Sequence, residues 1–340
     1  LPTPVRTGYI FLGWTGEGIT EPQEIIEIPQ GSTGDRTYTA NWQVIKYTII
    51  TLLEGGNAGS SEVYFYTVEQ TVTLPTPTRT GYTFLGWTGE GITTPQPNVT
   101  IPKGSTGDKT YIENWELTEY NITMDLSGGS GQEKVVYTIT DEDFELPTPT
   151  RNGYEFVGWT GEGITTPQTS VIIPKGSTGN KAYTANWKVI RYTITLVTNG
   201  GAVIASIRYT VEDSVTLPIP PERPGYEFAG WVLDGSGQFP STPMIIPKGS
   251  TGDRIYEAEW RVATYTITYV SHGKAYNWVQ YTINNQIYFG APEEDPSYYL
   301  PGYTFVGWKI DGVSGTPRSY MLPKGSYGNR TATMLWEPIP

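Results

Sequence analysis

The sequence predicts a mainly-β protein: a tandem array of small modules of about 73 residues, strung into an elongated rod. Three observations predict it. The pattern G-Y-x-F-x-G-W begins at Gly8, Gly81, Gly153, Gly225 and Gly302, so successive copies start 73, 72, 72 and 77 residues apart, and a period that regular marks an array of equivalent units. Between copies, Tyr, Ile and Leu alternate with Thr, the period-two pattern of a half-buried strand. Finally, only four residues separate the end of one copy from the start of the next, as in Gln43-Val44-Ile45-Lys46. A flexible linker would be longer and rich in Gly or Ser.

The elements follow in chain order. Residues 1–42 form a part module that lacks the strand-rich opening of later copies. Full modules are assigned to 43–115, 116–187 and 188–260, with a divergent one at 261–340. Each full module opens with a strand at Tyr47, Tyr120, Tyr192 or Tyr265, passes a polar turn such as Gly55-Gly56-Asn57, and returns through a second strand such as Val63–Val68. This reads as a hairpin. The Leu-Pro segments at Leu74, Leu146 and Leu217 break the pairing, since proline lacks the amide donor.

The G-Y-x-F-x-G-W stretch is a third strand with a parity problem. Tyr82 and Phe84 share one face, and Trp87 falls on the other unless a bulge intervenes; Gly86 is the expected place for it. Next comes Ile101-Pro102-Lys103-Gly104-Ser105-Thr106-Gly107, repeated at Ile173 and Ile246 and varied at Ile28 and Leu322, which reads as an ordered loop or a single helical turn. A last strand closes on a second Trp. Trp14, Trp87, Trp159, Trp231 and Trp308 precede Trp42, Trp115, Trp187, Trp260 and Trp336 by 28 residues, or 29 in the fourth copy. That spacing assigns all ten to module cores. Extended links between such modules predict a rod on the order of 100 Å long from compact-domain dimensions.

Composition excludes several classes. The chain has 340 residues and no Cys, so disulfides, zinc–thiolate sites and thiol nucleophiles are out. Net charge is −12 with cations scattered singly, which argues against nucleic acid and anionic membrane surfaces. No apolar run is long enough for a membrane-spanning helix. The chain begins at Leu1 without Met or a leader, and is expected to be a piece of a longer protein.

The residues then point to a family. G-Y-x-F-x-G-W, a closing Asn-Trp about 28 residues later and a following Y-T-I-T resemble the Listeria–Bacteroides repeat, the internalin-type B repeat, over essentially the whole chain. The resemblance implies a small β-grasp-like α+β module arrayed in bacterial cell-surface or cell-wall proteins. It carries no catalytic residues and no single ligand.

Site candidates are few. The sole histidine, His272, lies in a turn, and the Glu17, Glu90 and Glu162 carboxylates lack a partner at fixed offset, so no enzyme is expected. Lys-Gly-Ser-Thr-Gly lacks the order of a phosphate loop. Asp141-Glu142-Asp143 and Glu293-Glu294-Asp295 lack calcium-loop spacing and read as solvated charge. No metal or cofactor is expected. The function read from this is a non-enzymatic stalk or spacer of a surface adhesin that extends a binding domain. The alternative is direct binding of glycan or host protein through exposed aromatics or sheet edges. Tyr276, Trp278, Tyr298 and Tyr299 have no counterparts in other modules and mark the last module as the place for a private partner surface. The part module's open edge also offers a site for strand self-association. Exposure of the motif Trp residues separates the readings: buried rings favour the stalk, and coplanar exposed rings favour the binder.

Overall fold

The computed structural model describes residues 1–53, 62–292 and 301–340. By internal contacts these fall into two units, residues 1–149 with 157–186, and residues 150–156 with 187–340. The elements are strands throughout, and the described residues contain no α-helix. The helical component of an α+β module is therefore absent here. Pro102 to Gly107 is an ordered turn, with the Ser105 amide bonded to the Pro102 carbonyl.

The second module shows the plan. Its sheet runs hairpin strand Glu62–Tyr66, opening strand Tyr47–Leu53, closing strand Lys109–Leu117, motif strand Tyr82–Gly89 and ribbon strand Ile92–Gln96. The opening and closing strands pair in parallel at the centre; all other pairs are antiparallel. The predicted Gly55-Gly56-Asn57 turn lies outside the described residues. A two-stranded ribbon, Val72–Thr73 with Thr100–Ile101, sits apart from the main sheet. The third module repeats this order with strands at 134–137, 120–125, 181–189, 154–161 and 164–168. The fourth and fifth have four-stranded sheets ending at Tyr226–Leu233 and Tyr303–Ile310. The part module keeps only Ile19–Gln23, Tyr9–Gly16 and Thr39–Val44.

The bulge falls where the parity argument places it. Phe84 pairs with Trp115 and Gly86 with Asn114, so Leu85 is the extra residue. This turns Trp87 inward, 1% exposed, while Leu85 points out. Gly86 has φ +134°, and a Cβ there would sit 2.4 Å from the Gln96 backbone carbonyl carbon, so only glycine fits. The Asn114 side-chain amide clasps the bulge by donating to the Gly86 carbonyl at 3.1 Å, to Thr88 Oγ1 at 3.0 Å and to the Ile112 carbonyl at 3.0 Å. Asn41 and Asn186 do the same at their own bulges.

Each core centres on the motif Trp. Trp87, Trp231 and Trp308 are 3% exposed or less and join Ile49, Ile194 and Ile267, which are fully buried. The closing Trp residues are half-buried and reach the motif Trp through one ring: Phe84 lies 5.4 Å edge-on from Trp87 and 5.2 Å from Trp115. Phe228 bridges Trp231 and Trp260 in the same way.

Candidate functional site

Two places in the molecule do more than build a module: the joints between modules, and a cleft in the last one.

The joints are specific. Every closing strand runs two residues past its Trp, and the linker then folds back on its own module. The Ile45, Thr118, Ile190 and Ala263 amides donate to the carbonyls of Gly8, Gly81, Gly153 and Gly225 at 2.9–3.0 Å. Each of these glycines, the first residue of G-Y-x-F-x-G-W, is covered by a branched side chain from the next module. A Cβ on Gly8 would lie 2.1 Å from Val68, on Gly81 2.7 Å from Ile139, on Gly153 2.5 Å from Val211, and on Gly225 2.3 Å from Ile283. The covering residue is itself held in place. The carbonyl of Val68 accepts from Gly104 in its own Lys-Gly-Ser-Thr-Gly turn, and Gln70 Oε1 accepts from the Thr67 amide to pin the bend. Asp141, Asp213 and Asn285 pin the other three bends in the same way.

The turn is anchored twice more. Tyr66 donates to the Gly107 carbonyl at 2.7 Å, and Asp108 Oδ1 accepts from the Thr48 amide at 2.8 Å. Tyr137, Tyr209 and Tyr281 repeat the first contact, and Asn180, Asp253 and Asn329 the second. The motif's recurrence is thus a structural requirement. Beside four joints an arginine lies over the motif tyrosine, Arg6 on Tyr9, Arg79 on Tyr82, Arg151 on Tyr154 and Arg223 on Tyr226, at 3.7–3.8 Å from the ring centre. Tyr9 further donates to Glu69, and Tyr154 to Glu212, across the first and third joints. Thr140 and Asn284 occupy the corresponding places at the second and fourth.

The cleft belongs to the last module. It encloses about 250 Å³ and is lined by Tyr269, Tyr276, Asn277, Tyr288, Phe289, Gly290, Ala291, Pro292, Trp308 and Met334. Tyr269 stands at the centre, 6.1 Å from the Tyr276 ring, 5.7 Å from Phe289 and 5.8 Å edge-on to Trp308. Trp308 is locked by donating Nε1–H to the Gly290 carbonyl at 2.9 Å. Tyr276 reaches the cleft because it is the extra residue of a bulge: Tyr269 pairs with Asn277 and Val270 with Ala275. Its hydroxyl contacts Met334 Sδ at 3.8 Å. Burial pushes the Tyr269 hydroxyl pKa above the usual tyrosine value, so it stays a neutral donor at all physiological pH.

Of the residues singled out in the sequence, Tyr276 enters this cleft. Trp278 does not: it pairs with Thr268 and is 64% exposed beside Thr266, outside the lining. Tyr298 and Tyr299 lie outside the described residues, as does Glu293-Glu294-Asp295. Tyr269 and Tyr288 were missed, although Tyr269 carried a signal, standing where the other modules have Thr51, Met124 and Leu196. His272 sits in the hairpin turn, hydrogen-bonded to Ser271 and stacked on Trp336. Glu90 and Glu162 accept from the Thr110 and Ala182 amides at the start of the closing strands. Lys175 pairs with Glu142 at 2.5 Å, both exposed. No helix among the described residues is long and apolar enough to cross a membrane.

A cysteine-free array of small mixed-pairing β modules with recurring glycine-centred contacts defines a tandem β-repeat protein. The Listeria-Bacteroides repeat domain model matches residues 47–111, 120–188, 192–251 and 265–325, and the chain belongs to that family. It is 27% identical over 322 residues to a putative Gly-rich membrane protein of Evansella cellulosilytica, covering 90% of this chain and 36% of the relative. A second putative membrane protein of that organism is 24% identical over 281 residues, covering 81% of this chain and 41% of the relative. Internalin H of Listeria monocytogenes is 32% identical over 83 residues, 24% of this chain and 15% of that protein. The chain therefore spans well under half the length of the relatives it matches.

Proposed function

We propose that this chain is the spacer region of a bacterial cell-surface protein, a non-catalytic stalk that holds an adhesive domain away from the cell and fixes its direction. The joint carries the reading. In each of the four junctions a glycine is filled by a Val or Ile of the next module, and the linker amide bonds the same glycine's carbonyl. Such a junction transmits orientation, whereas a Gly/Ser linker would lose it. Burial of Trp87, Trp159, Trp231 and Trp308 supports the stalk over a chain-long aromatic binding surface. The membrane-protein names of the Evansella relatives and the match to Internalin H support the location.

The test is to shorten the array by whole modules in the parent protein displayed on cells. A stalk predicts unchanged binding of soluble partner and reduced capture of partner presented on an opposing surface. Loss of soluble binding on removing modules would make the array itself the binder.

A further inference from the structure

We propose that the cleft of the last module is a binding site for a neutral hexopyranose, the terminal or single residue of a glycan. This is independent of the spacer role of the joints.

The chemistry of the walls selects the ligand class. Tyr269, Tyr276, Tyr288, Phe289 and Trp308 supply rings, and Asn277 supplies an amide. Among the described residues no side chain lining the cleft is charged, so phosphates and carboxylates find no counter-ion among them and would lose hydration without compensation. What matches rings rimmed by phenol hydroxyls is a molecule with an apolar C–H face and a hydroxyl edge. A pyranose is that molecule, because tyrosine presents an apolar body and a polar tip to the two parts at once. The volume agrees. About 250 Å³, several times the roughly 30 Å³ share of a bulk water, has room for one sugar ring.

The cleft is also a departure from the repeat. Where Tyr269 stands, the preceding modules carry Thr51, Met124 and Leu196. Where Met334 stands, they carry Glu113, Ala185 and Ala258. Tyr269 is half-buried, presenting its ring to the cleft and its hydroxyl to solvent. Among the described residues Tyr269 has ring contacts and no hydrogen bond. A sugar hydroxyl can take the place of the water that hydrates it. The bulge at Tyr276 aims a second phenol into the same space.

The full chain, labelled with ¹³C at the methionine methyls, provides the test. Of the four methionines, only Met334 lines the cleft. Methyl glucopyranoside, methyl galactopyranoside and methyl N-acetylglucosaminide are titrated separately. The Met334 methyl is expected to shift with at least one of them, with a Kd in the millimolar range set by the small number of ligand atoms. Tyr269→Leu, the residue the fourth module uses at this place, weakens that binding at least about tenfold, the scale of one lost ring contact with its hydrogen bond. Trp278→Ala leaves it unchanged. An unmoved Met321 signal without ligand, from the strand Tyr320–Leu322 of the same module, establishes that Tyr269→Leu is folded; should it not fold, Tyr288→Ala, an exposed ring of the lining, replaces it with the same expectation. No Met334 shift with any sugar up to about 50 mM, far above the range expected, overturns the proposal. So does a shift that persists at full strength in the folded cleft variant.

Discussion

Gly86 carries the geometry of a whole module. Its φ of +134° and the contact its Cβ would make with Gln96 leave no room for another residue, and the bulge it permits is what buries Trp87. Gly86→Ala is expected to lower stability in chemical denaturation by at least about 1–3 kcal/mol, the range for a non-glycine residue held in a sparsely populated conformation. Gly104→Ala, at φ +91° with open space around it, carries only the conformational part, about 1 kcal/mol. A larger loss at Gly104 than at Gly86 would show that the bulge is not the constraint. Asn114 is the counterpart on the closing strand. Asn114→Ala removes three hydrogen bonds and is expected to cost about 1–3 kcal/mol through the groups left unsatisfied.

The tyrosines give the residue scale a pH signature. Tyr66 and Tyr137 donate to the Gly107 and Gly179 carbonyls, and burial, the largest cause, raises both hydroxyl pKa values. A raised folded-state pKa means stability is fully present below the unfolded value, about 10, and is lost as pH rises through the folded one. Thermal melts should therefore be flat through neutral pH and fall above about pH 10. Tyr137→Phe should be less stable at pH 7 and lose less between pH 9 and 12. Equal slopes for both proteins would remove Tyr137 from the account.

At the scale of the element, much was legible and the remainder has physical reasons. The bulge was readable from the parity of Tyr82, Phe84 and Trp87, and the hairpin from alternation. The Asn before the closing Trp was visible as a recurrence, but its role as a clasp needs the bulge in three dimensions. The Lys-Gly-Ser-Thr-Gly turn read as a turn, yet its partners, Tyr66 and the Val68 carbonyl, lie some forty residues away in sequence, where no local pattern connects them. The helix implied by the family resemblance is absent among the described residues. In the cleft, Tyr276 was identified by its lack of counterparts, whereas Trp278 shared that property and lies outside. A one-residue bulge decides between them, and nothing in Lys274–Tyr281 announces it.

On the scale of the whole molecule, the part that sequence could not give is how one module holds the next. Four-residue links without Gly or Pro predicted extended crossings, and the closing strands do run on past each Trp. The packing of Gly8 under Val68, and of its three counterparts, rests on residues 58–60 positions apart with no shared pattern. The joints also differ in kind. The Tyr9–Glu69 and Tyr154–Glu212 contacts brace the first and third, while the second and fourth present Thr140 and Asn284 instead. Hydrogen exchange at the linker amides should therefore be slower at Ile45 and Ile190 than at Thr118 and Ala263, and the reverse order would contradict the bracing.

The central claim is that neighbouring modules are held in a fixed relation. The absence of Cys allows a single pair of spin labels to be placed at will, through Thr20→Cys in the part module and Val63→Cys in the second, at positions that are both exposed. Electron–electron double resonance then reads the distance across the first joint. A docked joint predicts one narrow distance distribution, broadened by Gly8→Val, which puts a side chain where Val68 sits. A broad distribution in the unsubstituted joint would contradict it.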